Sequence, residues 1–412
     1  MRRLPPYLFG ELNRIKHARR QEGFDIIDLG MGNPTDPPPK QVIDKLCESA
    51  RELTVHGYSA SIGIPNLRRE VAKHYRHYWD VSLEADSEVI CTIGSKEGFS
   101  HLCLALMGPG DTALVPTPAF PIHVYSAVIA GANVIGISMS EGEEVLLANI
   151  AHMAENLYPK PKVLILNYPH NPTTATVELD FYEQVVWLAK RYGFAVIHDF
   201  AYGLTTFEGY RAPSFMQAKG AKDVGVELST MSKPYSMAGW RMGFCVGNPD
   251  ILKCLGMIKG YYDYGLFTPI QVAGIIALRQ CHEDVARQAG VYEKRRDALI
   301  DGLSRIGWPA EKPKASMFCW VPLPEKYRAM GSMEFCKLLL DHAEVAVSPG
   351  VGFGEDGEGF VRVALVENEK RMQQAVRQIK RALREYDGGL EEPGTKKRKP
   401  RGKKRDRRKK PR

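Results

Sequence analysis

Five short runs of almost unbroken apolar residues limit what this chain can fold into. They are Val89-Ile90-Cys91-Thr92-Ile93, Ala113-Leu114-Val115-Pro116, Lys162-Val163-Leu164-Ile165-Leu166-Asn167, Phe194-Ala195-Val196-Ile197-His198-Asp199 and Val226-Glu227-Leu228-Ser229-Thr230. A strand with one wetted face alternates apolar and polar residues. Runs without that alternation are buried on both faces, as in a parallel sheet covered by helices on each side. Helical patterns separate these runs, so the sequence predicts an α/β unit with a mostly parallel central sheet over roughly residues 50 to 275. A long periodic helix near 285–305 leads into a smaller α/β unit. That unit mixes the strands Met317-Phe318-Cys319-Trp320-Val321, Val345-Ala346-Val347 and Phe360-Val361-Arg362-Val363-Ala364 with a helix from about 367 to 385. The expected division is 1–45 for an N-terminal arm that packs with the small domain, 46–285 for the large domain, 286–387 for the small C-terminal domain and 388–412 for a disordered basic tail.

Composition matters mainly through that tail. Residues 396–412 hold thirteen Lys or Arg and one Asp, a net +12, so the formal +8 of the whole chain leaves the body at −4. A polycation of this kind makes salt-sensitive contacts with nucleic acid or acidic surfaces, and otherwise is a solvated extension. The eight cysteines are scattered, with no C-x-x-C pair and no histidine cluster at ligand spacing, so no metal site is expected and the thiols read as buried and reduced. The N-terminal Met1-Arg2-Arg3-Leu4-Pro5-Pro6 lacks an apolar signal core, and no stretch reaches the 18 or so apolar residues of a membrane helix. A cytoplasmic protein is expected.

Chemistry concentrates in Ser229-Thr230-Met231-Ser232-Lys233-Pro234-Tyr235-Ser236-Met237-Ala238-Gly239-Trp240-Arg241-Met242-Gly243. A lysine in a polar loop is ordinarily a solvated cation. Set among small and hydroxyl residues, with Arg241 beside it to receive a phosphate, Lys233 instead suits condensation with an aldehyde, which requires a neutral amine. The other candidates lie at strand ends, where open α/β sheets bind ligands. Gly94-Ser95-Lys96 opens a helix after the first run and presents backbone N–H groups to an anion. Asn171 follows the third run. Asp199 and Tyr202 end the fourth, and a buried acid there calls for a cation such as a protonated pyridine nitrogen.

Taken in order, Gly94-Ser95-Lys96, Phe120, Asn171-Pro172, Asp199-x-x-Tyr202, Ser232-Lys233, Arg241 and Arg362 resemble the class I/II aminotransferases, the fold-type-I pyridoxal phosphate enzymes, from about residue 4 to 387. The resemblance implies pyridoxal 5′-phosphate as cofactor, joined to Lys233. Asp199 would pair with its ring nitrogen, Asn171 and Tyr202 would contact its ring oxygen, and Phe120 would stack on the ring. Gly94, Ser95, Lys96, Ser232 and Arg241 would hold the phosphate, joined by Tyr58 of a neighbouring subunit in a homodimer. Gly32, Asn171 and Arg362 would receive the substrate carboxylate. The implied activity is ping-pong transfer of an amino group between an amino acid and a 2-oxo acid. Within the family, Leu4-Pro5-Pro6-Tyr7, His56-Gly57-Tyr58-Ser59, Lys314-Ala315-Ser316-Met317 and Val347-Ser348-Pro349-Gly350 are similar to bacterial glutamate-pyruvate (alanine) aminotransferases. Alanine, glutamate, pyruvate and 2-oxoglutarate are therefore the expected substrates. LL-diaminopimelate, methionine or another amino acid is the alternative, then carbon-sulfur elimination, then a non-enzymatic regulator using the tail.

Two positions depart from the family pattern. Phe120 stands where many members place Tyr or Trp, which keeps ring stacking and loses a hydroxyl. Thr174-Ala175-Thr176 follows Asn171-Pro172-Thr173 where a glycine is usual, which puts the local turn in question. Gly352-Phe353-Gly354-Glu355-Asp356-Gly357 fits G-x-G-x-x-G but runs into a strand, so it is no dinucleotide site. His56, His123, His170 and His198 lie near the candidates without ligand spacing and read as supporting residues.

Overall fold

A computed structural model describes Leu4 and residues 9–388. The basic tail and most of the Leu4-Pro5-Pro6-Tyr7 segment lie outside the described residues. Strand β1 (Ile27–Asp28) follows a first helix, Phe9–Gln21. Seven strands then form the large sheet: β2 (Val89–Thr92), β3 (Thr112–Thr117), β4 (Asn133–Ser138), β5 (Val163–Asn167), β6 (Ala195–Asp199), β7 (Gly225–Thr230) and β8 (Gly243–Gly247). Beyond the helix His282–Arg305 come β9 (Phe318–Pro322), β10 (Val345–Ala346), β11 (Ser348–Pro349) and β12 (Phe360–Ala364).

The large sheet has the order β2-β8-β7-β6-β5-β3-β4. All its pairings are parallel except those of β8, which runs antiparallel to both β2 and β7. Side chains alternate between two apolar layers. Leu114, Leu164, Val196 and Phe244 face one, while Val115, Ile165, Ile197 and Cys245 face the other. Two strands escape the apolar-run criterion. β4 is an edge strand, half-exposed and interrupted by Asn133 and Gly136, and β8 is five residues bounded by glycines. Gly243 is required there by space, since a Cβ would lie 2.7 Å from the Ser95 amide and 2.8 Å from the Ser229 carbonyl oxygen.

The small unit has its own core, which includes Leu12, Ile27 and Leu29 from the N-terminal segment together with Val321, Phe335, Val363 and Ile379. β1 joins it by parallel pairing, Ile27 with Val345 and Asp28 with Ala346. Its three-stranded sheet is antiparallel in the order β11-β12-β9. Of the expected strand at 345–347 only Val345–Ala346 forms, paired with β1, and past Val347 the chain enters the other sheet as β11. The N-terminal segment leaves the small unit before residue 45. Val42, on the apolar side of helix Lys40–Ser49, is fully buried in the large core. Near that crossing Arg295 grips Asp36 through two hydrogen bonds of 2.7 and 2.8 Å.

All eight cysteines are unpaired. Six are buried, but Cys254 is half-buried and Cys47 is exposed on helix Lys40–Ser49, which corrects the expectation that all are interior. The segment 350–357 is a pair of 3-10 turns packed on the large unit, where the Phe353 carbonyl accepts a 2.8 Å bond from the Ala119 amide. Among the described residues no helix is long and apolar enough to cross a membrane.

Candidate active site

The C-terminal ends of β5, β6 and β7 open into a cavity of about 290 Å³ that the small unit closes from the other side. Asn167 at the end of β5 acts as a brace. Its Nδ2 donates to the Asp199 carbonyl at 2.6 Å, and its Oδ1 accepts from the Asn171 amide at 2.9 Å. It lines the cavity and was not singled out in the sequence, because an Asn ending a strand carries no spacing signal.

Asp199 sits at the end of β6, almost buried. Its Oδ2 is 2.9 Å from His123 Nε2, while its buried Oδ1 has no hydrogen-bond partner among the described residues. A carboxylate oxygen left so is costly, and a protonated ring nitrogen is the kind of donor it lacks. Asn171 and Tyr202 line the same cavity, and burial pushes the Tyr202 hydroxyl up, so it stays a donor. Phe120 lines the same wall. His170, beside Asn171, is driven down to about 3 by burial and stays neutral, with Nδ1 2.8 Å from Thr173 Oγ1.

Lys233 lies just beyond β7, and its Nζ donates to the Gly32 carbonyl at 2.6 Å. Burial first, then the Arg362 and Arg241 guanidinium groups, push its amine down to about 8, against the opposing pull of Asp199. Thr230 Oγ1 donates to Ser232 Oγ at 2.9 Å and fixes the turn into Lys233.

An anion cradle lies at one end, formed by Ser95 and Lys96 at the start of helix Ser95–Leu106 together with Ser232 and Arg241. Gly94, which precedes the helix at φ 77°, does not line the cavity. Its lack of a side chain admits Arg241, because a Cβ there would meet Nη2 at 2.5 Å. Arg241, itself left-handed at φ 55°, donates to the Ala238 carbonyl at 2.8 Å.

From the small unit, β12 carries Arg362 into the cavity. Its Nη1 donates to Asn171 Oδ1 at 2.6 Å and its Nη2 to the Gly30 carbonyl at 3.2 Å. The guanidinium lies between the Phe318 and Phe353 rings, 4.0 and 4.6 Å from their centroids. Gly32 stands at the same end, its open side filled by Phe318. Tyr58 is not brought to the cavity of its own chain. It is exposed and packs against Tyr264 at 4.4 Å between centroids.

Elsewhere the structure gathers Glu97, His101 and Asp263 within 4.8 Å. The buried Lys259 ammonium supplies the cation of that cluster, 3.1 Å from Glu97 and 3.2 Å from Asp263.

This combination of an unpartnered buried carboxylate oxygen, a lysine amine shifted toward neutrality, a helix N-terminus with Ser232 and Arg241 beside it, and a buried arginine between two aromatic rings fits pyridoxal phosphate. The family model for class I and II aminotransferases matches residues 25–379. The chain belongs to that family, and it is a transaminase that takes amino acids and 2-oxo acids and uses pyridoxal 5′-phosphate. It is 51% identical over 385 residues to the glutamate-pyruvate aminotransferase AlaC of Escherichia coli (strain K12), covering 93% of this chain and 92% of that one. It is 40% identical to the LL-diaminopimelate aminotransferase of Moorella thermoacetica, covering 93% and 97%. Among solved structures, substrate-bound BacF from Bacillus subtilis superposes with a TM-score of 0.84 at 32% identity over 92% of this chain and 95% of that one.

Proposed function

We propose that the chain exchanges amino groups between alanine and 2-oxoglutarate, and between glutamate and pyruvate, with Lys233 as the proton carrier. The carrying observation is the buried Lys233 amine, held near pH 8 in one cavity with the unpartnered oxygen of Asp199 and the guanidinium of Arg362. The likeness to the Escherichia coli glutamate-pyruvate aminotransferase supports the choice of substrates.

When bound, the cofactor supplies an aldehyde for amine exchange and an electron-withdrawing ring that acidifies the substrate Cα–H. In this reading Ser95, Lys96, Ser232, Arg241 and the helix N-terminus would hold its phosphate. Phe120 would pack on the ring. Asp199, oriented by His123 and Asn167, would keep a proton on the ring nitrogen. Asn171 and Tyr202 would donate to the ring oxygen. Arg362 holds the α-carboxylate and so orients the Cα–H bond toward Lys233. Burial and the two guanidinium groups favour the neutral Lys233 amine, the form that can take that proton.

The exposed Tyr58, Tyr261, Tyr262, Tyr264 and Phe267 leave an aromatic surface uncovered, which supports a homodimer in which Tyr58 serves the partner's phosphate site. An active species sedimenting as a monomer would contradict that pairing.

The test of the substrate reading is a half-reaction screen. Cofactor-loaded enzyme is mixed with single amino acids, without acceptor, and the released 2-oxo acid is measured. Alanine and glutamate should each yield about one equivalent per site. Preference for LL-diaminopimelate would move the assignment to that branch of the family, and pyruvate released in many-fold excess over sites would mean elimination instead of transfer.

A further inference from the structure

We propose that Lys16 and Asp28 form a second pole of the substrate cavity, where the distal carboxylate of a dicarboxylic substrate docks on the Lys16 ammonium. This rests on the reading that Arg362 takes the α-carboxylate. Both residues line the cavity that also holds Lys233 and Arg362. Lys16, on helix Phe9–Gln21, is almost fully buried at 6% exposure. A buried ammonium with three donors requires acceptors, yet its one acceptor among the described residues is Asp28 Oδ2 at 2.7 Å. Two of its N–H groups remain to be satisfied. Arg20 Nη2 lies 3.6 Å from the same Asp28 oxygen, so Lys16 shares its one carboxylate with a second cation.

Asp28 is oriented by the Gly30 amide, which donates to its Oδ1 at 3.2 Å, and the Gly30 carbonyl accepts from Arg362 at 3.2 Å. The two cationic poles are thus tied to one short stretch of main chain, from Asp28 to Gly30. Leu12, Met31 and Val347 line the same cavity and offer apolar contact to the intervening methylenes or to the alanine methyl. When the substrate is small, Lys16 keeps only its pairing with Asp28. When it is a dicarboxylate, the remaining N–H groups take the distal carboxylate. One cavity thereby serves both partners of the exchange.

The test uses non-reacting acids on the holoenzyme, so that it stands apart from which amino donor is used. Glutarate and butyrate differ by the distal carboxylate, and their binding is read from the change in cofactor absorbance. The wild-type protein should bind glutarate about 10- to 100-fold more tightly than butyrate, the worth of a charge-assisted hydrogen bond. Lys16→Met should abolish that difference and Lys16→Arg should restore most of it. Asp28→Asn, which removes the competing carboxylate, should widen it. The proposal is overturned if Lys16→Met binds glutarate as tightly as the wild type, if it weakens glutarate and butyrate equally, or if Lys16→Arg shows no recovery. Failure of the alanine and glutamate screen with a positive glutarate result would overturn the donor assignment and leave this subsite standing.

Discussion

Lys233 is a lysine that the fold keeps from behaving as one on a surface. Burial and two guanidinium groups oppose its charge, and Asp199 only partly offsets them. In the cofactor-free protein its reaction with an amine-modifying reagent, followed by peptide mass, should rise with a midpoint near pH 8. A midpoint near 10.5, the value of an unperturbed lysine, would contradict the account. The sign carries over to stability. The native state gives up this proton before the unfolded chain does, so between about pH 8 and 10.5 the unfolded chain binds more protons and this contribution to stability increases with pH. The sequence showed Lys233 and its neighbours because a short polar run concentrates them. Asn167 stayed illegible, since its value lies in two main-chain contacts that only the folded strand ends create. The glycine-less turn after Thr173 resolves at the same scale. Thr174 adopts the left-handed conformation at φ 63°, and its amide bonds the His170 carbonyl at 2.9 Å, so the turn keeps its shape with a β-branched residue in a strained place.

At the scale of elements, β6 and β7 are coupled by a buried polar network that the sequence could not reveal. Glu227 is fully buried and accepts four bonds, from Tyr75 (2.8 Å), Ser214 Oγ (2.7 Å), the Phe215 amide (2.7 Å) and His198 Nδ1 (2.9 Å). His198 Nε2 in turn accepts from the Tyr168 amide at 3.2 Å, which anchors the start of the loop that carries Asn171. In sequence, His198 is one of several histidines near the site, and its partner stands 29 residues away in a different apolar run. Glu227→Gln turns an NH2 group toward donors that need an acceptor, and it should lower unfolding stability by about 3 kcal/mol. Urea unfolding measures this, and a loss below about 1 kcal/mol would show the network to be dispensable. The apolar runs read out β2, β3, β5, β6 and β7 because both faces of those strands are covered. The same criterion passed over β4, which is wetted at the sheet edge, and β8, whose short glycine-bounded course is set by the anion cradle next to it.

For the whole molecule, the site exists only where two separately cored units meet. Asn171, Asp199 and Lys233 stand at or just beyond the ends of β5, β6 and β7, while β12 delivers Arg362 and the segment after β1 delivers Gly32. A chain order in which the first and last parts build one wall of the cavity is visible in sequence only as a set of distant single residues. Their ordering carried the resemblance, and the pairing of β1 with β10 supplies its physical basis. The account's central claim is that this junction holds pyridoxal phosphate on Lys233. Borohydride reduction of the yellow holoenzyme followed by peptide mapping tests it most directly. The account predicts the reduced cofactor on the peptide containing Lys233 and on no other lysine. A preparation that stays colourless when supplied with pyridoxal phosphate, or a reduced adduct on Lys16, Lys96 or any other lysine in place of Lys233, would contradict it.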